Sequence, residues 1–345
     1  MNTLLLTDLD STLWEKQPWG GVISASNASH LRDLSARDDM LLAVNTGRPR
    51  SHVLSSFLRT GAQDQYAPWQ DLPSNATALP MSLFDAGIFE DGLLATVNEN
   101  GNFTEIFNSL ELADDTYLRL CTELFNDRAQ AHYRARGIDL ILDGVVTEEA
   151  TGYAVREDIT ARYLRPLAST TPMYRQTNET TKLTYKPALG PHLSDMRIDE
   201  NHPLYLAVVD YLNTIEPKWS EHLGFDLPPD AIDMYPLHLK GHASGEIFRK
   251  SEANLMLLDR FGDNVSGIAY LGDGPNDIRA MRDLEERFDG PMLFVAPHKS
   301  NGKVIEFMNA KHRANVHAYH LPEQVGIAHV MEAATALLYR HGFLG

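Results

Sequence analysis

Two acidic residues, Asp8 and Asp10, directly follow an apolar run at residues 4–6 that reads as a buried strand. Side chains two residues apart in a strand project to the same face, so both carboxylates can meet one ligand. Holding two carboxylates this close is unfavourable unless a cation or a proton offsets their repulsion. The pair therefore predicts a divalent metal ion, a shared proton or both, although an acidic helix cap after a strand has the same short pattern.

Two further apolar runs also end in small, hydroxyl or acidic residues. Residues 40–44 precede Thr46, Gly47 and Arg48, and residues 268–271 precede Gly272, Asp273, Asn276 and Asp277. In open α/β sheets the ligand lies beyond the carboxyl ends of the parallel strands. The three runs therefore predict one α/β sheet whose strand ends meet at a single site.

A lysine supplies the positive charge that this acidic cluster needs. Lys240 follows a strand-like segment at residues 231–238 and precedes a predicted helix with Ser244 as its N-cap. The same helix places Lys250 well past its first turn, away from the strand ends. We therefore expect Lys240 to contribute to the site and Lys250 to have no part in it.

These four segments resemble, in order, the four motifs of the haloacid dehalogenase superfamily of phosphohydrolases. Asp8-x-Asp10-x-Thr12 is similar to the first motif, Thr46-Gly47-Arg48 to the second, Lys240-Gly241 to the third and Gly272-Asp273-Gly-x-Asn276-Asp277 to the fourth. The resemblance implies a Rossmann-like parallel-sheet core. Segments 88–94 and 324–328 look like parts of the sucrose-phosphate and sugar-phosphate phosphatase branch. Ser11 stands where glycine is common, and serine tolerates most turn conformations at modest cost.

The spacing of the motifs predicts the domain organisation. Residues 1–105 and 229–345 would form the core, and residues 106–228 an inserted α+β domain with helices near 112–129 and 204–215 and strands near 140–142 and 182–186. In the superfamily an insertion between the second and third motifs is a cap that selects the substrate. Residues 61–84 form an unusually long connection, which is either an extra rim of the site or a surface loop.

The resemblance also implies a role for each matching residue. Asp8 would be the nucleophile that forms an aspartyl-phosphate, and Asp10 would protonate the leaving oxygen and then activate water. Mg²⁺ would be held by the Asp8 carboxylate, the Asp10 backbone carbonyl and Asp273, with Asp277 as a ligand or an outer partner. The residues expected to bind the phosphoryl group are Thr46, Gly47, Lys240 and Asn276.

The expected activity is hydrolysis of a small phosphorylated metabolite, with sugar phosphates as the favoured class. Asp10 disfavours a dehalogenase, because a halide needs no proton when it leaves and a phosphomonoester does. A sugar phosphomutase and a non-catalytic scaffold with this fold remain alternatives. Hydrolysis of a generic aryl phosphate with and without Mg²⁺ separates the scaffold from the enzyme.

Composition agrees with an enzyme of two domains. The chain has 345 residues and a net charge of -17, which disfavours binding to nucleic acids or anionic membranes. No apolar run approaches the roughly 18 residues of a membrane span, so the chain is expected to be cytoplasmic. Cys121 is the only cysteine, which excludes an internal disulfide, and it is expected to be a buried structural thiol. The spacing of His312, His317 and His320 favours solvated surface histidines over a metal site.

Overall fold

The computed structural model describes several ranges of the chain, which are residues 2–14, 23–48, 50, 53, 57–58, 77–78, 83–99, 101–109, 126–138, 142–146, 173–176, 183–187, 203–215, 223–224, 232–234 and 250–345. The chain divides into two compact units. The first contains Met1–Asn108 and Arg249–Gly345, and the second contains Ser109–Phe248. The sequence had placed the corresponding divisions after residues 105 and 228. The first division thus lies close to the expected position, and the second lies further along the chain.

The described strands are β1 (Asn2–Thr7), β2 (Met40–Asn45), β3 (Phe57–Leu58), β4 (Thr77–Ala78), β5 (Ala86–Phe89), β6 (Leu94–Glu99), β7 (Asn102–Asn108), β8 (Leu142–Val146), β9 (Met173–Gln176), β10 (Leu183–Pro187), β11 (Leu223–Gly224), β12 (Ile232–Met234), β13 (Val265–Leu271), β14 (Met292–Ala296) and β15 (Val316–His320). The described α-helices are α1 (Ala25–Ser35), α2 (Asp127–Arg134), α3 (Pro203–Ile215), α4 (Lys250–Phe261), α5 (Pro275–Arg287), α6 (Gly302–Met308) and α7 (Val330–Arg340).

An eight-stranded sheet in the order β15-β14-β13-β1-β2-β5-β6-β7 forms the centre of the first unit. Pairing is parallel from β15 to β5, and β6 and β7 add an antiparallel edge. The side chains of Leu4, Leu5 and Leu6 are fully buried, which is typical of parallel strands that are covered on both faces. The predicted α/β fold is therefore confirmed.

The polar side chain of Asn27 connects three parts of the first unit. It lies on α1, which packs against α7, and it is fully buried. Its Nδ2 donates to the carbonyl oxygens of Leu13 and Ile327 at 2.9 and 2.8 Å, and its Oδ1 accepts from the Met331 amide at 2.9 Å. One side chain thus satisfies backbone groups next to the end of β1 and at the start of α7, which buried polar groups require.

The second unit contains a five-stranded sheet in the order β11-β12-β10-β9-β8. Its helices α2 and α3 contact each other, and the rings of Tyr133 and Tyr211 lie 5.8 Å apart in an edge-on arrangement. The strand expected near residues 182–186 corresponds to β10, and the helix expected at 204–215 corresponds to α3. The strand expected near 140–142 overlaps β8 only at residue 142. Helices and an antiparallel-rich sheet give this unit an α+β composition.

Two expectations about this part of the chain differ from the structure. The strand-like segment 231–238 was assigned to the core, but β12 pairs antiparallel with β10 and β11 inside the second unit. Its alternation of Ile, Asp and Met is typical of an antiparallel strand with one wet face. Most of the helix expected near 112–129 lies outside the described residues, and its end differs from the expectation, because Asn126 is an extended N-cap of α2 whose Oδ1 accepts from the Ala129 amide at 3.0 Å. Cys121 and most of residues 61–84 lie outside the described residues.

Within the described ranges, no helix combines the length and the apolar character that crossing a membrane requires.

The hydrogen bonds of Asn27 in the first unit can be tested by substitution. Replacing Asn27 with Ala would leave two buried carbonyls and one buried amide without their partner, and each such group costs about 1–3 kcal/mol.

We therefore expect Asn27→Ala to lower the free energy of unfolding by at least about 2 kcal/mol, measured by urea titration. Ser29→Ala is the matched control, because Ser29 is exposed on the same helix and should change stability by less than about 0.5 kcal/mol. Equal stabilities of the two variants would show that the Asn27 hydrogen bonds do not hold these segments together.

Candidate active site

Sequence-predicted residues converge at the carboxyl ends of β1, β2 and β13. Thr7 at the end of β1 pairs with Leu271 on one side and Val44 on the other. Asp8 continues this register, since its amide donates to the Leu271 carbonyl at 2.9 Å. Because the three strands are neighbours and parallel, the residues that follow them meet at one edge of the sheet.

Three of the predicted acids form one cluster. Asp8, Asp273 and Asp277 each offer a carboxylate oxygen, and these oxygens all lie within 4.8 Å of one another. Asp8 and Asp277 are buried, and Thr12 Oγ1 donates to Asp273 Oδ1 at 3.3 Å. A set of carboxylate oxygens at this spacing fits the ligand preference of Mg²⁺. These three residues could therefore hold the expected metal ion.

A lysine lies against this cluster, but it is Lys250. Its Nζ is 3.3 Å from Asp8 Oδ1 and 3.0 Å from Asp277 Oδ1, and only 1% of its side chain is exposed. The expectation that Lys250 lies away from the site is wrong, because its ammonium contacts both Asp8 and Asp277. Lys240 lies outside the described residues.

Burial and charge determine how these groups ionise. Burial raises the pKa of the Asp8 carboxyl, Lys250 lowers it, and Asp277, Asp273 and Asp10 raise it again, so the net pKa lies well above its usual range. Burial lowers the pKa of the Lys250 ammonium, but Asp277 and Asp8 raise it well above its usual range. Lys250 is therefore positively charged at neutral pH. A divalent cation on the carboxylates would favour the ionised form of Asp8.

Hydrogen bonds fix the orientation of Asp277. Its Oδ1 accepts from Lys250 Nζ and from the Tyr270 hydroxyl at 2.8 Å, and its Oδ2 accepts from the Gly274 amide at 3.0 Å. A Cβ atom at residue 272 would lie 2.5 Å from the Asp277 carboxyl carbon, so this close approach requires Gly272. The backbone at Gly272 and Gly274 therefore holds the Asp277 side chain in place at the start of α5.

Asp10 has partners that the sequence analysis did not assign. Arg48 donates to both carboxylate oxygens of Asp10, through Nε and NH2. Trp14 Nε1 donates to Asp10 Oδ1 at 3.2 Å, and the Arg48 guanidinium carbon lies 5.7 Å from the centre of the Trp14 ring. A bidentate guanidinium stabilises an ionised carboxylate. In the sequence, the one indication that Arg48 lies near Asp10 is its position directly after Thr46 and Gly47, which were predicted to bind the phosphoryl group.

Two of the predicted phosphate-binding residues, Gly47 and Asn276, lie next to a buried acid, Asp91. Asn276 Nδ2 donates to Asp91 Oδ1 at 3.2 Å, and a Cβ atom at Gly47 would lie 2.8 Å from the same oxygen. Thr46 is fully buried, and its Oγ1 accepts from the Arg48 amide at 3.2 Å. The sequence offered no reason to assign a role to Asp91. The structure places its carboxylate next to Gly47 and Asn276.

Backbone conformation near the site is unusual at three non-glycine residues. Ser11, Glu90 and Asp91 have φ values of 56°, 51° and 58°, in the left-handed region that favours glycine. At Ser11, glycine would adopt this conformation at lower cost than serine does. Such conformations persist when surrounding contacts determine them, and they are frequent at functional sites.

The three histidines at 312, 317 and 320 have separate structural contacts. His312 Nδ1 is 3.1 Å from Glu285 Oε2, its Nε2 is 2.8 Å from the Phe307 carbonyl oxygen, and only 8% of its side chain is exposed. The expectation of a solvated surface histidine is therefore wrong for His312. His317 stacks on His341 with ring centres 3.9 Å apart.

Comparison with solved structures identifies a similar fold. The C-terminal domain of Candida albicans trehalose-6-phosphate phosphatase matches with a TM-score of 0.50 and 13% identity, over 100% of this chain and 94% of that one. The chain therefore shares an α/β fold with this domain. At this identity the likeness concerns the fold alone. No family model matches the chain, and no curated protein matches it.

Two other solved structures resemble the chain less closely in shape. TM0651 from Thermotoga maritima has a TM-score of 0.49 and 17% identity, over 96% of this chain and 97% of that one. Aspergillus fumigatus trehalose-6-phosphate phosphatase has a TM-score of 0.46 and 12% identity, over 97% of this chain and 92% of that one.

The raised pKa of Asp8 gives a pH-dependent prediction about stability. A carboxyl with a raised folded-state pKa contributes stability that is present below its unfolded pKa of about 3.9 and is lost as the pH rises through the folded value. Because the Asp8→Asn variant has no carboxyl at this position, its stability does not fall for this reason as the pH rises. Without divalent cations, we expect the variant to melt at a higher temperature than the wild type at pH 8, with a smaller difference at pH 5.

Asp39→Asn is the control of opposite sign. Hydrogen bonds from Arg37 lower the pKa of the Asp39 carboxyl, so this exposed residue favours folding at neutral pH and its replacement should not raise the melting temperature. A change of about 1 kcal/mol shifts the melting temperature of a domain of 150–250 residues by about 2–4 °C, which calorimetry resolves. An Asp8→Asn variant less stable than the wild type at pH 8 would contradict the prediction.

Proposed function

We propose that the protein is a Mg²⁺-dependent phosphomonoester hydrolase that acts through an aspartyl-phosphate on Asp8. The observation that carries this proposal is the position of the Asp8 carboxylate, 3.3 Å from the Lys250 ammonium and within a cluster that includes Asp273 and Asp277. A nucleophilic carboxylate, a fixed cation and two further acids with metal-ligand spacing are the groups that phosphoryl transfer uses.

In the proposed reaction, an Asp8 oxygen attacks phosphorus and the bond from phosphorus to the ester oxygen breaks. Asp10 must first leave Arg48 and take up a proton, which it gives to that oxygen. It then takes a proton from the water that attacks the aspartyl-phosphate. The phosphorus–Asp8 bond breaks, and inorganic phosphate and the regenerated carboxylate result. Two positioned acids thus divide one slow displacement into two faster steps.

Lys250 and Thr46 would stabilise the transferring group. The Lys250 ammonium is buried and positively charged, so it would interact strongly with phosphoryl oxygens at the low local dielectric of a buried position. Mg²⁺ bound by Asp8, Asp273 and Asp277 would supply further positive charge to the same oxygens. In this proposal Lys250 takes the part that the sequence motifs gave to Lys240.

The proposed substrate is a small phosphorylated metabolite, with sugar phosphates as the favoured class. A solved structure with the same fold is named a trehalose-6-phosphate phosphatase domain, and this name supports the substrate class without identifying the compound. We propose that the second unit, Ser109–Phe248, is the cap that selects the substrate, and that the enzyme acts in the cytoplasm on soluble substrates.

Phosphate release tests the proposed activity directly. We expect the purified protein to hydrolyse p-nitrophenyl phosphate with Mg²⁺ and to lose this activity when the metal is chelated. A panel of phosphorylated metabolites, read by phosphate release, should then show a preference among sugar phosphates. No Mg²⁺-dependent release from the aryl phosphate or from any member of the panel would reject the proposal.

Replacing Lys250 with Met tests the charge that lies against Asp8. The side chain keeps its length but loses its charge, so we expect kcat/KM to fall by at least about 10²-fold, the effect of losing one preorganised donor. Lys240→Met should have a much smaller effect. Lys303→Met is the surface control, because Lys303 is exposed on α6.

Circular dichroism of each lysine variant separates a lost fold from a lost charge. Suppose that Lys250→Met is folded with nearly normal kcat/KM and that Lys240→Met is strongly impaired. Lys240 would then be the lysine of the third motif. This result would also contradict the proposed role of the contact between Lys250 and Asp8.

Replacing Asp273 with Asn tests the metal site. Asn keeps an oxygen but loses the charge that favours a divalent cation, so we expect weaker Mg²⁺ binding and partial recovery of activity at high Mg²⁺. Asp263→Asn is the control, because Asp263 lies in the short turn between α4 and β13. An unchanged Mg²⁺ requirement in Asp273→Asn would exclude Asp273 as a ligand.

A further inference from the structure

A buried polar network lies directly beneath the acidic cluster. Tyr270 on β13 is fully buried, and its hydroxyl donates to Asp277 Oδ1 at 2.8 Å. The same hydroxyl oxygen accepts from Asn45 Nδ2 at 3.2 Å, and Asn45 Nδ2 also donates to Asn254 Oδ1 at 2.7 Å. Asn45 and Asn254 are fully buried as well. The network thus leads from two amides through one phenol to a site carboxylate.

Each member of the network comes from a different element, and each element contains or directly precedes a site residue. Asn45 ends β2 and immediately precedes Thr46. Asn254 lies four residues after Lys250 on α4, so both side chains occupy the same face of this helix. Tyr270 precedes the fourth motif by two residues on β13. The contacts therefore connect the three elements that position the proposed catalytic groups.

Burying this polar network costs free energy of folding, so stability alone does not explain its presence. Buried amides and hydroxyls lose their hydration, and apolar side chains of similar size would fill the same space at lower cost. Asn45 Oδ1 and Asn254 Nδ2 are buried without a hydrogen-bond partner in the described part of the chain. What the network does supply is a defined orientation for Asp277, since a hydroxyl at 2.8 Å restrains the rotation of that carboxylate.

We propose that Tyr270, held by the amide pair Asn45 and Asn254, is a positioning residue that orients the Asp277 carboxylate for Mg²⁺ and for Lys250. This proposal rests on the function proposed above. Asp277 Oδ1 accepts from both Tyr270 and Lys250, so the phenol limits where the ammonium can bind the carboxylate. Burial raises the pKa of the Tyr270 phenol well above its usual range, and Asp277 raises it further, so the hydroxyl remains a donor.

Tyr270→Phe removes the phenol oxygen and keeps the ring that fills the buried space. Partners that orient a metal-binding residue contribute about 10–100-fold to metal affinity or activity. We therefore expect the Mg²⁺ dissociation constant of the substrate-free protein, measured by calorimetry, to increase by about 10-fold. With p-nitrophenyl phosphate, kcat should fall by a similar factor at saturating Mg²⁺, while KM changes little.

Tyr319→Phe is the matched control. Tyr319 lies on β15 of the same sheet, and its hydroxyl is 2.7 Å from His341 Nε2, away from the acidic cluster. This variant also loses one phenol hydrogen bond, but its Mg²⁺ dissociation constant should equal that of the wild type. An unchanged constant in Tyr270→Phe, or an equal increase in both variants, would overturn the positioning role.

The calorimetric readout separates this proposal from the proposed function. A wild type that binds Mg²⁺ but hydrolyses no phosphomonoester would reject the function, and the comparison of the two tyrosine variants would still decide the role of Tyr270. A wild type that does not bind Mg²⁺ would overturn both. A wild type that binds Mg²⁺ and turns over, beside an unaffected Tyr270→Phe variant, would overturn the positioning role alone.

A double-mutant cycle tests whether the amides act through the phenol. Asn254→Leu keeps the side-chain size and should increase the Mg²⁺ dissociation constant by less than Tyr270→Phe does. If Asn254 acts only by holding Tyr270, the double variant should have the same constant as Tyr270→Phe, and the effects should not multiply. Effects that multiply would show that Asn254 acts independently and would remove the amide pair from the proposal.

Discussion

The contact of the Lys250 ammonium with Asp8 and Asp277 is the interaction on which the candidate site depends. Asp8 and Asp277 are buried, and a third carboxylate, Asp273, lies within 4.8 Å of both. Removing one partner of a buried ion pair leaves an uncompensated charge, which is more costly than losing an exposed pair. The lysine therefore permits the sheet to end in acidic residues at the position where a phosphoryl group would bind.

Much of this arrangement can be predicted from sequence because it follows from local patterns. The continuous apolar runs of β1, β2 and β13 mark strands that are buried on both faces, and a parallel sheet brings the residues after such strands together. Asp8, Asp273 and Asp277 are each close in sequence to one of these strand ends. Their convergence needs no information about distant contacts beyond the parallel order of the strands.

Residues whose position depends on distant segments were not predictable in the same way. Lys250 reaches Asp8 across more than 200 sequence positions, and no local pattern connects the two segments. The pairing of β12 with β10 likewise joins segments that no local pattern connects. Tyr270 sits inside an apolar strand, where its hydroxyl partner Asp277 is evident only from the three-dimensional structure.

The two acids of the first motif differ in how freely they can act. Asp8 is buried and lies against a cation, which would suit the nucleophile of the proposed reaction, since that group must remain in one place. The Asp10 side chain is 20% exposed and pairs with Arg48, which is itself 11% exposed. In the proposed reaction, Asp10 would have to give up at least one of the hydrogen bonds that Arg48 donates before it could reach the leaving oxygen. The guanidinium released by this exchange would then lie next to the departing group, so the same movement that frees the acid brings a positive charge to the developing oxyanion.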